Sequence, residues 1–252
     1  MSGAAPRLSV RGVEGLPEIA AGAPLGELIA GRAKLTDGDV LVLSQKVVSK
    51  AEGRVRRLSS VIPSAEARKL AAVLGKEPAL VELILGESRR VLRAERGVLI
   101  VETRHGFVCA NAGVDSSNLP EEGTACLLPE DPDASARRIR AEIREAAGAG
   151  PAVVVADSFG RAWRLGQAEV AIGCAGIEPL DDWRGRPDAG GRELAATVIA
   201  VADEVAAAAD LVRGKDSRVP AAIVRGLERF VTPEDGPGAA SIRRPRKDDL
   251  FR

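Results

Sequence analysis

Carboxylates that follow buried strands are the first residues whose type and placing could do chemistry. Asp157 stands directly after the apolar run Val153-Val154-Val155-Ala156, in Asp157-Ser158-Phe159-Gly160-Arg161. A carboxylate at the exposed end of a buried strand can hold Mg²⁺ beside a phosphate, because the metal is hard, prefers oxygen and needs rigid ligands. The Ser158 hydroxyl could be a second ligand. The same aspartate could instead cap a turn, and these residues alone leave both readings open. A second group is Cys109-Ala110-Asn111-Ala112-Gly113-Val114-Asp115-Ser116-Ser117-Asn118. It offers a carboxylate, hydroxyls and an amide, with Gly113 permitting close approach, or it is a polar turn. One carboxylate binds Mg²⁺ weakly, whereas two that converge, with phosphates completing the shell, hold it well. Asp115 and Asp157 are the natural pair. A third group, Ser44-Gln45-Lys46-Val47-Val48-Ser49-Lys50, reads as a loop past another buried strand. Its lysines could hold a polyphosphate or be solvated surface charges. No G-x-x-x-x-G-K-[ST] occurs in the chain, so it is not a P-loop.

The elements that must position these groups follow from periodicity and punctuation. Residues 7–13 alternate and read as a strand, 24–31 as a helix stopped by Gly31, and 40–43 as a buried strand. Helices are expected from a Ser64 cap and from near Pro78, with Leu80, Leu83 and Ile84 on one face. Residues 98–102 and 107–110 form a hairpin around Arg104-His105-Gly106, and a short strand follows near 125–128. Ile139 and Ile143 mark a helix over 134–147, ended by Gly148-Ala149-Gly150-Pro151. Residues 152–156 are a strand buried on both faces, 192–211 a long Ala-rich helix, 213–218 a polar loop and 220–224 a buried strand. From Thr232 onward the composition turns polar, and a loose tail is expected. Hairpins mixed with helix-connected strands give an α+β fold with mixed sheets, a body over 1–230 in two subdomains and a polar tail over 231–252.

Composition excludes several classes. Lys+Arg and Asp+Glu are both 36, so nothing draws the whole chain to nucleic acid or to an anionic membrane. A bound polyanion must be held by local groups. There is no Tyr and only 2 Trp and 4 Phe, which argues against base-stacking platforms. Cys109, Cys126 and Cys174 lie far apart and form no C-x-x-C pair, so a disulfide framework or zinc site is not expected and a reducing cytoplasm fits. His105 is the single histidine and reads as structural. The N-terminus has no apolar run of the signal-peptide kind, and the apolar stretch over 195–209 is broken by Asp203 and Glu204.

Taken in order, several segments resemble the coenzyme F420:L-glutamate ligase family. They are Val13-Glu14-Gly15-Leu16-Pro17, Ser49-Lys50-Ala51-Glu52-Gly53-Arg54, Asn111 through Asn118, Asp157-Ser158-Phe159-Gly160-Arg161 with Trp163-Arg164, Ala171-Ile172-Gly173, Gly190-Gly191-Arg192-Glu193-Leu194 and Val201-Ala202-Asp203-Glu204. The wording around Trp163 is closer to the ligase domains of bacterial members. The resemblance implies a GTP-dependent ligase that adds L-glutamate to the coenzyme F420 precursor (F420-0) and then a further γ-linked glutamate. It implies divalent metals (Mg²⁺ or Mn²⁺), K⁺ as a monovalent cation, and two interlocked subdomains in an intertwined homodimer. Carried over by position, Asp115, Asp157 and Ser158 match the metal ligands. Leu16, Pro17, Glu18, Ile19, Gln45, Lys50 and Asn118 match nucleotide contacts, as does the loop Arg213, Gly214, Lys215, Asp216, Ser217, Arg218 and Val219. That loop is more charged than the family's usual glycine-rich version, and Asp157-Ser158 stands where the family often has Asp-Thr. The expected route is an acyl phosphate and GDP, with Asp115, Asp157 and Lys50 as the catalytic set. A related amide ligase on another carboxylate, or a nucleotide-binding module without activity, are the alternatives.

Overall fold

The computed structural model describes residues 7–250. The expectations for the extreme N-terminus, and for residues 251 and 252 of the polar tail, lie outside the described residues.

The apolar runs of the sequence become a sheet covered on both faces. In chain order, β1 (Ser9–Gly12), α1 (Leu25–Ala30), β2 (Val40–Ser44) and α2 (Gln45–Ala51) come first. Then follow β3 (Val55–Arg57), α3 (Ala65–Leu74), α4 (Pro78–Gly86), β4 (Ser88–Glu95), β5 (Val98–Thr103), β6 (Val108–Ala110) and β7 (Thr124–Cys126). The chain continues through α5 (Pro132–Ala147), β8 (Ala152–Arg161), β9 (Arg164–Ala175), β10 (Asp181–Asp182), β11 (Val198–Ile199), α6 (Val201–Asp210) and β12 (Ala221–Arg225). The main sheet has the order β1-β12-β2-β8-β9. Only β2 and β8 in it pair in parallel.

Strand side chains alternate between faces. Leu41, Leu43, Val153 and Val155 therefore share one core with Leu25 and Ile29 of α1 and Ile139 and Ile143 of α5. Val40, Val42, Val154 and Ala156 share another with Ala202, Val205, Ala206 and Ala209 of α6. Each such Val, Leu or Ile contributes roughly 1.5–3 kcal/mol by leaving water. A third core lies wholly between Leu58 and Leu127, and packs α3 and α4 against β5 and β7. It is an insertion between α2 and α5 that returns the chain to the main sheet. The structure is thus an α+β protein with several sheets, as read from the sequence.

Local signals account for the long helices. The Ser64 side chain accepts from Ala67 N at 3.1 Å and opens α3, while Gly75 at φ 63° closes it. Asp131 accepts from Ala134 N at 2.9 Å to open α5, and Gly148 at φ 68° closes it. α1 lies so close to α5 that a Cβ on Gly26 would stand 2.6 Å from the Ile139 carbonyl oxygen and 2.4 Å from Glu142 Cβ. Gly26→Ala should therefore destabilise by about 1–3 kcal/mol despite alanine's better helix propensity. A denaturant midpoint equal to or above wild type would contradict that packing.

Several readings need correction. Ser44 to Lys50 is not a loop: residues 45–51 are α2, which buries Gln45, Val48 and Ser49. The β-branched valines hid a helix that tertiary burial supports. Residues 192–200 are not helical, and α6 begins at Val201. There the backbone pairs back on residues 181–188, through Leu194 N to Arg186 O, Trp183 N to Thr197 O and the β10–β11 bridge, and propensity alone does not see that competition. β4 was not anticipated, because its Arg-rich sequence carries little strand propensity. Its pairing with β5 and its alternating burial make it a strand all the same. On α4, Val81 is buried along with Ile84, while Leu80 and Leu83 are only partly so.

The polar composition after Thr232 suggests a loose tail, but residues 232–240 lie against the body. Arg140, 1 % exposed, reaches this segment from α5: Nη2 donates to Thr232 O at 2.6 Å, and Nη1 to Asp235 Oδ1 at 2.9 Å and Pro233 O at 3.2 Å. Asp133 accepts from Ala239 N and Ala240 N.

Candidate active site

Sheet topology brings distant segments to one edge. β1 and β2 both run antiparallel to β12, so both end where β12 begins. β8 runs parallel to β2, with Ser44 opposite Ala156. The segment after β1, the start of α2, the middle of β8 and the loop before β12 therefore converge. Ser44 N donates to Pro220 O at 2.8 Å and Val13 N to Ala221 O at 2.8 Å, which ties these segments together. A crevice at the carboxyl ends of parallel strands is where open α/β sheets hold ligands.

A cleft of about 1130 Å³ occupies that edge. Its wall contains Leu16, Pro17, Glu18, Ile19, Gln45, Lys50 and Asn118. Asp115, Asp157 and Ser158 line it as well, with Arg213, Gly214, Lys215, Asp216, Arg218 and Val219. Of the residues anticipated from sequence, Ser217 alone is not on the wall. Its hydroxyl donates to Gly214 O at 2.7 Å and accepts from Val219 N at 3.2 Å, so it shapes the loop instead.

Asp157 is not at a strand end, as the sequence suggested. β8 runs on to Arg161 and pairs with β9, which sets Asp157 opposite Val170 and Ser158 opposite Glu169. The carboxylate is fixed inside a paired hairpin and caps no turn. Burial first, then the charge of Glu169, then that of Asp115, push its pKa up to about 7. Among the described residues it has no ion-pair partner. Burial and the Asp157 charge also push the nearby Cys109 thiol up to about 12, which keeps it protonated and unreactive.

Asp115 arrives on the insertion. Its backbone bridges Cys126, and the turn before it runs through Asn111, Ala112 and Gly113 at φ 53°, 55° and 70°. A Cβ on Gly113 would stand 2.7 Å from the Leu128 side chain, so only glycine fits there. Burial works to raise Asp115, but the Lys46 hydrogen bond, the Ser117 bonds and the ammonium charge outweigh it and hold the carboxyl below its usual range. Lys46 Nζ donates to Asp115 Oδ2 at 2.7 Å and to Ser117 O at 2.7 Å. Ser117 N donates to Asp115 Oδ1 at 2.7 Å.

The far wall is a chain of charged bonds. Ser158 Oγ donates to Glu169 Oε1 at 2.9 Å, and Lys215 Nζ donates to Ser158 Oγ at 3.0 Å. Arg213 Nη2 donates to Glu169 Oε2 at 2.9 Å, and both residues are 5 % exposed. Lys50 Nζ donates to Glu18 Oε1 at 2.6 Å. Arg213 Nε and Asn111 Oδ1, both on residues of the cleft wall, are buried without a hydrogen-bond partner. Glu169 went unnoticed in the sequence. Its signal was a single carboxylate inside the otherwise apolar run Ala168-Glu169-Val170-Ala171-Ile172.

The donors suit a hard cation. Among the described residues no cluster of three or more His, Cys, Asp or Glu could hold a metal by itself. Two carboxylates and a hydroxyl leave open positions for phosphate and water, as Mg²⁺ or Mn²⁺ beside a nucleotide requires. The unpaired charge around Asp157 is what such a cation would offset.

The fold and the cleft thus define an α+β protein that gathers carboxylates and cationic side chains at the carboxyl end of one parallel strand pair. Residues 15–226 match the family model described as F420-0:Gamma-glutamyl ligase, and the chain belongs to that family. It is a ligase. The chain is 46% identical over 251 residues to a coenzyme F420:L-glutamate ligase from Methanothermobacter thermautotrophicus, covering 97% of this chain and 99% of that one. It is 47% identical over 222 residues to one from Archaeoglobus fulgidus, covering 88% of each. To one from Methanopyrus kandleri it is 44% identical over 253 residues, covering 99% of this chain and 100% of the relative. No helix among the described residues is long and apolar enough to cross a membrane.

Proposed function

We propose that the cleft joins L-glutamate to the carboxylate of the coenzyme F420 precursor (F420-0), driven by GTP, and then adds a further γ-linked glutamate. The supporting observation is the convergence of Asp115, Asp157, Ser158, Lys50 and the 213–219 loop on one cleft, in a chain whose relatives carry that name.

A carboxylate and an amine do not condense unaided in water, so the carboxylate needs a better leaving group. Its oxygen attacks the GTP γ-phosphorus, the bond to the β-phosphate oxygen breaks, and GDP leaves. The glutamate amine then attacks the acyl carbon, phosphate departs, and the nitrogen gives up its proton. Divalent cations (Mg²⁺ or Mn²⁺), when bound, supply positive charge against the phosphate oxygens. Asp115, Asp157 and Ser158 are the residues that hold them. Lys50, already poised at the cleft by Glu18, neutralises phosphate charge. Leu16 to Ile19, Gln45, Asn118 and the 213–219 loop cradle the nucleotide, and Arg213 fixes Glu169 and through it Ser158. The protein's own share is positioning and fixed charge.

The same reading places a monovalent cation (K⁺) with the nucleotide, the enzyme in the cytoplasm, and two copies in an intertwined dimer of interlocked subdomains. Trp163 and Leu165, 81 % and 97 % exposed at the tip of the β8–β9 hairpin, are apolar side chains that a second copy would cover.

One assay tests the chemistry. The protein is incubated with glutamate and carboxylate-¹⁸O precursor, with GTP or ATP. Expected are a product heavier by one and then two glutamyl units with GTP, a weaker yield with ATP, and one ¹⁸O in the released phosphate. No mass gain would overturn the acceptor assignment. Product with unlabelled phosphate would overturn the acyl phosphate.

A further inference from the structure

The cleft neutralises itself. Each of its three lysines rests on an acid or a hydroxyl: Lys46 on Asp115, Lys50 on Glu18, and Lys215 on Ser158 with Asp210 at 3.7 Å. Two of these contacts fall on the atoms assigned above to cation binding. Lys46 is the more committed. Its ammonium meets Asp115 Oδ2 at 2.7 Å, Ser117 O at 2.7 Å and Ser117 Oγ at 3.2 Å, so its three protons are all engaged. Asp115 Oδ2 also accepts from Ser117 Oγ at 2.9 Å, and Oδ1 accepts from Ser117 N at 2.7 Å. An oxygen that already accepts two hydrogen bonds has no direction left for a cation. A divalent ion can reach Oδ2 only if the ammonium gives way.

We propose that Lys46 is a built-in counter-ion that fills the cation position at Asp115 while the cleft is empty, and swings to phosphate when a divalent cation takes that position. This rests on the metal role read for Asp115. Lys46 lies on the first turn of α2, at the cleft wall, with its side chain mostly buried. Its four-carbon stem can carry the ammonium from the carboxylate to a phosphate beside it without moving the helix. Two consequences follow. Without nucleotide, Lys46 competes with the metal and weakens its binding. With nucleotide, the displaced ammonium gains a phosphate partner, so nucleotide and metal each tighten the other. Lys46 is thus a positioning residue that links metal loading to nucleotide loading.

The test counts free Mn²⁺ by electron paramagnetic resonance as it is titrated into the full chain, with and without GDP. Wild type, Lys46→Met, Lys46→Arg and Asp115→Asn are compared, each first shown to melt cooperatively. Lys46→Gln replaces Lys46→Met should the latter fail to fold. In the absence of nucleotide, Lys46→Met is expected to bind Mn²⁺ about tenfold more tightly than wild type. GDP should tighten Mn²⁺ binding by all three, since phosphate completes the cation's shell, but by a clearly larger factor in wild type and Lys46→Arg than in Lys46→Met. Lys46→Met binding Mn²⁺ no better than wild type, with Asp115→Asn binding poorly, overturns the counter-ion role alone. Asp115→Asn binding Mn²⁺ as wild type does, with GDP present, overturns the metal role of Asp115 and the proposal with it.

Discussion

Asp157→Asn is expected to lower turnover about a thousandfold while the protein stays folded. The substitution keeps the shape of the side chain and removes only its charge. That charge has no ion-pair partner among the described residues, and the surroundings already resist it: burial, Glu169 and Asp115 push its pKa up to about 7. Removing it from the folded chain therefore breaks no pair and costs little. The loss should fall on the reaction, since the strand that carries Asp157 is pinned to β9 by its backbone rather than by the carboxylate. Turnover would be measured over a Mn²⁺ series beside a thermal melt. A variant with near-normal turnover at low metal would remove Asp157 from the site. A large drop in melting temperature would show that the carboxylate serves the fold.

The largest effect on stability is expected at Arg140. Its guanidinium is buried in the packing of α5, and donates to Pro151 O at 3.0 Å, Gly150 O at 3.3 Å, Thr232 O at 2.6 Å, Pro233 O at 3.2 Å and Asp235 Oδ1 at 2.9 Å. Arg140→Met keeps most of the stem's volume and deletes every donor. The buried Pro151 carbonyl and the half-buried carbonyls of Gly150 and Thr232 lose this donor, and the segment after Thr232 loses one of its ties to α5. Breaking a buried, hydrogen-bonded charge of this kind costs about 3–5 kcal/mol. Guanidinium chloride unfolding would read it as a lower midpoint. A loss under about 1 kcal/mol would mean that water replaces the lost donors. None of these contacts touches the cleft, so the folded fraction of Arg140→Met should still catalyse.

Several cleft-lining groups were legible in the sequence because they follow strong local signals. Asp157 and the group from Ser44 to Lys50 stood out by following uninterrupted apolar runs, and a run without polar breaks reports a strand buried on both faces. The caps at Ser64 and the i, i+4 pair Ile139–Ile143 were equally plain, since a cap and a helical stripe depend on a few neighbouring residues. α2 was not, because it is held by packing against β8, far away in the chain, and β4 was not, because its arginines hide the hairpin that it forms with the neighbouring β5.

What the sequence determined by itself was an inventory: an α+β chain, several of its buried strands but not β9, most of its helices, and the polar groups placed beside them. What only the tertiary structure decided was which of those groups meet. The antiparallel pairing of β1 and β2 with β12, and the parallel step from β2 to β8, carry four segments to one edge of one sheet. Pairing of β8 with β9 turned a strand-end aspartate into a rigid one and set Glu169 beside Ser158. The bond from Lys46 to Asp115 joins residues 69 positions apart. Periodicity is a local property of a chain and strand register is not, so no local pattern could have announced that contact.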